Sequence, residues 1–230
     1  MGAFPIEGVR LCFDALSAGC EIRSVFYTAE CREKFPEKTE ELLCAAKQSF
    51  EISGEVAAAL SDTVTPQGIF CIVGMAEHSF SYRQGGKYIL LDTVQNPDNL
   101  GAIMRTAEAL GIDGLTACGG CDIYNQKALR ASMGAVFRLP VRLGGDIFAE
   151  IEQSEKAGNM TYAAVPDRSA LDICTLDFSA GAAVIIGNEG NGVRPEVIER
   201  CTPVTAKMKG RAESLNAAAA AAIVMWELVK

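Results

Sequence analysis

The sequence of 230 residues contains a single histidine, His78, and has fewer basic than acidic residues. One imidazole cannot build a histidine-rich metal site, and a Ser/His/Asp triad would depend on this residue alone. The 21 Lys and Arg residues against 29 Asp and Glu residues give a formal net charge of -8. This balance argues against a nucleic-acid binder that works through its overall charge, although it leaves room for a local basic site.

Long hydrophobic runs are also missing. The longest one, at 217–226, is rich in alanine and has about half the length that a membrane helix requires.

The nine cysteines are odd in number, scattered and preceded by no signal-peptide pattern, which is typical of free thiols in a reducing compartment. Cys118-Gly-Gly-Cys121 has the spacing of half a zinc site or of a redox pair, but no second pair completes it. We therefore expect a soluble, cytoplasmic protein with neither a membrane nor a metal partner.

The chain divides into two modules by pattern. Residues 1–76 alternate short helical and strand patterns, 77–87 form a polar, glycine-tipped linker, and 88–230 repeat strand, loop and helix. This repetition predicts an α/β fold with a mostly parallel sheet covered by helices on both faces. Residues 1–80 carry 6 basic and 12 acidic residues, and 81–230 carry 15 and 17. Most of the net acidity therefore belongs to the first module.

Ligands of parallel α/β sheets bind at the loops that follow the strands, and three such loops have unusual compositions. The first, at 95–101, leads into a helix that we predict to begin near Asn99. Arg105 would then lie almost two turns into this helix and close to Gly101, which leaves room for a backbone or ligand to approach. A capped surface helix with a solvated arginine explains the same pattern.

The second loop, at 187–192, contains three glycines and one carboxylate, Glu189. No Lys-Ser/Thr pair follows the last glycine and the spacing is not G-x-G-x-x-G, which disfavours a nucleoside triphosphate and a nicotinamide dinucleotide. Two interpretations of this loop stay open: a site that holds an adenosine-containing ligand through backbone groups, and a simple tight turn.

The third loop, at 208–216, is basic and precedes an alanine-rich helix for which Ser214 is the predicted N-cap. Its first turn would orient Asn216.

In this order and spacing, the three loops resemble the three motifs of the SpoU (TrmH-type) family of RNA ribose 2′-O-methyltransferases, in the SPOUT superfamily. The matching segments are Asn99-x-Gly101-x-x-x-Arg105-Thr106, Ile186-Gly187-Asn188-Glu189-Gly190-x-Gly192 and Met208-x-Gly210-x-x-Glu213-Ser214-Leu215-Asn216. The resemblance covers about residues 88–230. Residues 4–75 resemble, more weakly, the family's ribosomal-protein-like substrate-binding domain. They begin without the basic extension of many members, so we expect a basic N-terminal segment to be missing.

The resemblance implies a C-terminal knotted (trefoil) parallel-sheet methyltransferase domain at 88–230 and a small N-terminal α/β substrate-binding domain at 1–76. It implies methyl transfer from S-adenosylmethionine to a ribose of rRNA, in preference to tRNA, by a homodimer that needs no metal and whose active site lies near the subunit interface. The cofactor-binding residues that it implies are Gly187, Gly192, Ala206, Met208 and Leu215. The residues that it places around the reacting hydroxyl are Arg105, Asn99, Glu189, Ser214 and Asn216.

Two questions stay open at this point. A guanidinium is effectively always protonated, so Arg105 is either a transient base held by its neighbours or a group that positions a phosphate and polarises the hydroxyl. In the second case another group, Glu189 most directly, accepts the proton. In addition, Ala206-Lys207-Met208 stands where the family usually has Ile-Pro-Met, which puts the affinity for the cofactor in doubt because a lost proline loosens the loop.

An RNA-binding or ribosome-assembly module that keeps the fold with weak or no catalysis is the alternative function. The departure at Ala206 and the acidic first module motivate this alternative. The complete set of Asn99, Arg105, Glu189 and Asn216 speaks against it.

Overall fold

A computed structural model describes residues 2–75 and 80–230, and the chain falls into two compact units, Met1–Glu77 and His78–Lys230. His78 and part of the expected linker at 77–87 lie outside the described residues. Within the described residues, no helix combines the length and the apolar character that crossing a membrane requires.

The first unit is built on a four-stranded sheet with strand order β1-β4-β2-β3. Its strands are β1 (Ala3–Glu7), β2 (Ile22–Tyr27), β3 (Gln48–Glu51) and β4 (Ile69–Gly74). Its helices are α1 (Val9–Ser17), α2 (Ala29–Lys34), α3 (Pro36–Ala45) and α4 (Gly54–Leu60). Strand β4 pairs antiparallel with β1 and β2, whereas β3 pairs parallel with β2 at the edge. The short edge strand β3 was not predicted, because all four of its residues are exposed and give no apolar alternation.

The second unit contains a seven-stranded sheet with strand order β7-β6-β5-β10-β8-β11-β9, in which every pair of neighbours is parallel. This confirms the parallel α/β sheet predicted from the sequence. The strands are β5 (Lys87–Asp92), β6 (Gly114–Cys118), β7 (Val141–Gly144), β8 (Met160–Ala164), β9 (Leu171–Asp172), β10 (Ala182–Ile186) and β11 (Thr202–Thr205). The α-helices are α5 (Pro97–Ala109), α6 (Gln126–Ser132), α7 (Ile147–Lys156), α8 (Pro195–Arg200) and α9 (Ala217–Val229), and two short 3₁₀ segments are Ala135–Phe137 and Ile173–Thr175.

The central strands position the loops that the sequence singled out. All five residues of β10 are buried, as expected of a strand covered on both faces by helices. Strand β10 pairs in parallel with β5, with Ile186 opposite Leu91. Because both strands end at the same edge of the sheet, the loops that follow them leave it side by side.

The helices that follow the first and third loops begin at different residues from those predicted. Helix α5 begins at Pro97, and the side chain of Asn96 caps it by accepting from the backbone N–H groups of residues 98 and 99. Proline suits this position since its fixed φ angle matches a helix and its missing N–H would have no partner there. Helix α9 begins at Ala217 with Asn216 as its N-cap, so the prediction of a Ser214 cap was wrong. The side chain of Asn216 accepts from two backbone N–H groups, which satisfies two otherwise unpaired donors of the first turn.

The residues just before β5 do not form the aperiodic polar linker that their composition suggested. The ring of Phe80 stacks on Tyr88 with 5.4 Å between centroids, and Tyr82 meets both rings edge-on. The Tyr82 hydroxyl also donates to the buried carboxylate of Glu150 at 2.9 Å. These two aromatic side chains pack residues 80–86 onto the core of the second unit.

Gly101 determines how closely α5 packs on α6. A Cβ atom at this position would lie 2.4 Å from the Cβ of Ala131, 2.6 Å from the carbonyl oxygen of Ala128 and 2.9 Å from the backbone nitrogen of Ser132. Two of these atoms belong to the backbone and cannot rotate away.

We therefore expect Gly101→Ala to lower the free energy of unfolding by about 1–3 kcal/mol, the usual cost of overpacking, despite the better helix propensity of alanine. Urea unfolding followed by circular dichroism measures this loss.

Gly145→Ala is the matched control, because a Cβ atom at Gly145 meets nothing within 4 Å. We expect its free energy of unfolding to change by no more than about 0.5 kcal/mol. Equal stability of the two variants would show that close helix packing is not what requires glycine at position 101.

Candidate active site

The carboxylate of Glu189 joins the loop after β10 to the loop after β5. Its Oε2 accepts from the backbone N–H of Gln95 at 3.0 Å. Its Oε1 accepts from the backbone N–H of Asn96 and from the side-chain Nδ2 of Asn99, both at 3.0 Å. Three N–H donors thus converge on one carboxylate, and charge-assisted bonds of this kind are stronger than neutral ones.

This environment favours the ionised form of Glu189. Burial acts to raise the pKa of its carboxyl, but hydrogen bonds from the Asn99 side chain and from the backbone of Gln95 and Asn96 outweigh burial and hold the pKa below its usual value. A carboxylate whose pKa is lowered and whose oxygens already accept three hydrogen bonds is a weak proton acceptor.

Asn99 carries the connection on to the third loop. Its side chain is buried, with 8% exposure of the residue, and its Oδ1 accepts from the Nδ2 of Asn216 at 2.9 Å. The opposite side of the Asn216 side chain caps α9. Glu189, Asn99 and Asn216 therefore form one hydrogen-bonded series, the polar bridge, which links the three loops that the sequence indicated.

The glycine loop, residues 187–192, folds back on itself beside this bridge. The backbone of Asn188 exchanges hydrogen bonds with that of Gly192 at 3.0 and 2.9 Å, and the Asn188 side chain accepts from the N–H groups of Gly190 and Asn191. A Cβ atom at Gly187 would lie 2.1 Å from the backbone of Gly192 and Val193, so only glycine allows this closure. Sequence reasoning assigned no role to Asn188, although asparagine commonly supports such turns through its side chain.

A cavity of about 340 Å³ opens next to the glycine loop, within the range of small-molecule sites. Its walls combine the backbone of this loop with mostly apolar side chains from three other segments, 164–166, 204–208 and 214–224. The residues predicted to bind the cofactor all line it, namely Gly187, Gly192, Ala206, Met208 and Leu215.

Arg105 does not join the polar bridge. It lies six residues beyond Asn99 on α5, which turns the two side chains to different faces of the helix: Asn99 is buried and Arg105 is exposed. Across residues 2–75 and 80–230, Arg105 has no hydrogen-bond or ion-pair partner, and it does not line the cavity. Ser214 lines the cavity, again with no hydrogen bond to another described residue. The structure thus brings Asn99, Glu189 and Asn216 together and leaves Arg105 apart from them.

The cysteines add no further chemistry to this site. All nine thiols are free. Burial raises the pKa of Cys118 to about 12, and the charge of Glu150 adds to this shift, so the first thiol of the C-x-x-C pair is a poor nucleophile. In the part of the chain that the structure describes, no cluster of three or more Cys, His, Asp or Glu side chains could hold a metal ion.

The fold and the site together define a class of protein: a two-unit α/β protein whose second unit holds a small-molecule cavity at the carboxyl edge of a parallel sheet. Residues 86–226 match the model of the SpoU rRNA Methylase family, and residues 1–71 match that of the MRM3-like substrate binding domain. The chain belongs to the SpoU rRNA methylase family.

Named relatives align over almost the entire chain. It is 31% identical over 227 residues to the 23S rRNA (guanosine(2553)-2′-O)-methyltransferase RlmP of Bacillus subtilis, covering 98% of this chain and 88% of that protein. It is also 31% identical to an uncharacterized tRNA/rRNA methyltransferase of Synechocystis, covering 98% of this chain and 83% of the relative. Among solved structures, the SpoU methyltransferase AviRb of Streptomyces viridochromogenes in complex with AdoMet superposes with a TM-score of 0.86 at 27% identity, covering 99% of this chain and 89% of that one. The AdoMet-bound rRNA methyltransferase of Sinorhizobium meliloti gives a TM-score of 0.85 at 27% identity, covering 98% and 86%.

The polar bridge makes the stability of the protein depend on pH through Glu189. Because its pKa is lower in the folded state, the stabilisation is complete above the unfolded-state pKa of about 4.3 and is lost as the pH falls through the folded-state value. We expect Glu189→Gln to lower the free energy of unfolding at pH 7 by about 1 kcal/mol or less, since the side chain is partly exposed. Urea titrations between pH 7 and pH 3.5 should show this difference shrinking below about pH 4.

Glu199→Gln supplies the control, because Glu199 is an exposed carboxylate of α8 without a hydrogen-bond partner among the described residues. Its variant should match the wild type throughout. A Glu189→Gln difference that stays constant over the whole pH range would contradict the role given to the ionised carboxylate.

Proposed function

We propose that this protein transfers a methyl group from S-adenosylmethionine to a ribose 2′-hydroxyl of RNA, with rRNA favoured over tRNA as the substrate. The observation that carries this proposal is the polar bridge of Glu189, Asn99 and Asn216 at the rim of the cavity. The bridge joins the three segments that match the motifs of the family. The Bacillus subtilis relative, named for 2′-O-methylation of 23S rRNA, supports the preference for rRNA.

The cavity fits an adenosine-containing cofactor. Ile186, Val204, Leu215 and Val224 supply apolar walls suited to a purine ring, and the backbone groups of the glycine loop supply donors and acceptors for its edges. Ala206, which stands where the family usually has isoleucine, still lines the wall, as does Met208. When bound, S-adenosylmethionine supplies an electrophilic methyl group on a positively charged sulfur.

The residues of this chain then act by binding and orientation. Glu189 holds Asn99 and the start of α5 in place. Because it already accepts three N–H groups, its role is to fix these segments and not to accept the hydroxyl proton. Arg105 stays protonated, so it binds a phosphate next to the target ribose and polarises the hydroxyl. Methyl transfer would form a bond between the ribose 2′-oxygen and the methyl carbon and break the bond from that carbon to sulfur. S-adenosylhomocysteine would leave and the hydroxyl proton would pass to water, with alignment of the reacting groups supplying much of the acceleration.

A cluster of cations at the mouth of the cavity provides the local basic site for RNA. Lys209 and Arg211 are exposed and have no ion-pair partner among the described residues. They follow directly on the cavity-lining Met208. Arg168, also exposed, donates to the carbonyl oxygen of Gly210 at 3.5 Å. These cations would attract RNA phosphates locally despite the net negative charge of the chain, and the first unit, at 1–76, would contribute further substrate contacts.

The position of Arg105 is best explained by a homodimer. On α9, which packs against the helix that carries Arg105, Ile223 and Trp226 are exposed, Trp226 to 59%. A second copy covering this apolar face would bring one protomer's Arg105 towards the cavity of its partner. The active site would then form near the subunit interface. We also propose that the cofactor-binding segment of each protomer forms a trefoil knot.

The dimer is tested with Trp226→Glu, which places a charge in the middle of the apolar face. Sedimentation velocity should give a dimer for the wild type and a monomer for the variant, because burying an unpaired carboxylate is costly. Leu143→Glu, at another exposed apolar position of the same unit, should leave the dimer intact. A wild-type protein that sediments as a monomer at micromolar concentration would contradict this arrangement.

The catalytic assignment is tested with Arg105→Ala. We expect calorimetry to show binding of S-adenosylmethionine in the micromolar range to both wild type and variant, since Arg105 does not line the cavity. Methyl transfer to RNA should be abolished in the variant and kept in Arg200→Ala, which removes an exposed arginine from α8.

Full methylation by Arg105→Ala would refute its role. If the wild type failed to bind the cofactor at millimolar concentration, an RNA-binding module without catalysis would be the better description.

A further inference from the structure

An ion pair that the mechanism does not use joins the buried Asp92 to Arg194, two residues after the glycine loop. Asp92, the last residue of β5, is fully buried at 0% exposure. Arg194, the residue immediately before α8, donates from Nε to both carboxylate oxygens at 3.1 and 3.0 Å and from Nη2 to Oδ1 at 2.8 Å. This two-pronged geometry matches the planar fork of a guanidinium to a carboxylate.

Arg194 is held on a second side by an aromatic ring. Its guanidinium lies over the ring of Phe148, 5.8 Å from the centroid, while 47% of its side chain stays exposed. A lysine could keep the positive charge, but it could neither stack in this way nor reach both oxygens of Asp92 with fixed geometry. The arrangement therefore depends on the shape of the side chain as well as on its charge.

Thr93, the residue that follows β5, binds the other end of the glycine loop. Thr93 has a left-handed backbone with φ of 60°, which is strained for a β-branched residue. In this conformation its carbonyl oxygen accepts from the Nδ2 of Asn188 at 3.0 Å. Asn188 is in turn the residue whose Oδ1 accepts the N–H groups of Gly190 and Asn191. Asp92, the last residue of β5, thus anchors Arg194 just after the end of the loop, and the next residue, Thr93, anchors Asn188 near its start.

We propose that the Asp92–Arg194 pair is a positioning device that sets the shape of the glycine loop and, through it, the affinity for S-adenosylmethionine. This inference rests on the proposed function, because it assigns the loop backbone to the cofactor. Asn188 through Val193 all line the cavity, so a shift of the loop end moves the groups that would hold the ligand. Arg194 itself does not line the cavity and acts only through the loop.

Arg194→Lys tests this role, because lysine keeps a positive charge beside the buried Asp92 and the variant should fold. We expect calorimetry to show its Kd for S-adenosylhomocysteine, the demethylated product, raised by about tenfold, which corresponds to a loss of about 1.4 kcal/mol of binding free energy. Arg200→Lys, in an exposed pair with Glu155 at the opposite end of α8, should leave this Kd unchanged.

Hydrogen exchange of the peptide covering 187–194 provides a second measurement that needs no ligand. We expect faster exchange in Arg194→Lys, and no change in Arg200→Lys. The pair Asp92→Asn with Arg194→Gln removes both charges together and should show the same faster exchange and weakened binding, since its neutral amides cannot restore the fork.

A folded Arg194→Lys protein with wild-type Kd and wild-type exchange would overturn the inference, as would a variant that loses only thermal stability. Failure of the wild type to bind S-adenosylhomocysteine would instead count against the proposed function. In that case the exchange measurement alone would still decide whether the ion pair fixes the loop.

Discussion

The ionised carboxylate of Glu189 is the interaction on which the rest of the site depends. It accepts the N–H groups of Gln95 and Asn96 just before α5, and it fixes the amide of Asn99, which binds Asn216 before α9. Three segments that are distant in the sequence are thereby held at one edge of the parallel sheet. Without this carboxylate, the N–H groups of Gln95, Asn96 and Asn99 would lose the acceptor that they share, and the loops after β5 and β10 would lose this link.

The polar bridge also separates the residues proposed to bind the cofactor from the residue proposed to activate the hydroxyl, which the sequence motifs had grouped together. Binding of a cofactor is supported by the closed glycine loop and by the apolar walls around it. Activation of a hydroxyl is assigned to Arg105, which stands on an exposed face of α5 away from the bridge. In the homodimer proposed above, the apolar face of α9 next to α5 would be the surface that completes an active site divided in this way.

The sequence carried enough information for the layout of the second unit. The apolar runs that became β5 and β10 were predicted because central parallel strands are buried on both faces and need no polar alternation. The three segments of the site were found from their composition and order, and all five residues predicted to bind the cofactor line the cavity. The edge strands β3 and β9 were not predicted, because they are defined by pairing with a neighbouring strand and not by a local sequence pattern.

Other features depend on contacts that no local pattern records. Ser214 and Asn216 are both good helix caps, and the hydrogen bond to Asn99 selects the second. Asp92 had no assigned role in the sequence analysis, since its partner Arg194 lies 102 residues further along the chain. The separation of Arg105 from Asn99 follows from their spacing within α5, because six helical residues turn the two side chains to different faces.

Mapping of ribose 2′-O-methyl groups in RNA from cells with and without this protein addresses the central proposal most directly. The proposed function requires that a 2′-O-methyl group of rRNA disappear in its absence, return with the wild-type protein and stay absent with Arg105→Ala. Identical methylation maps of rRNA and tRNA in the two kinds of cell would contradict it.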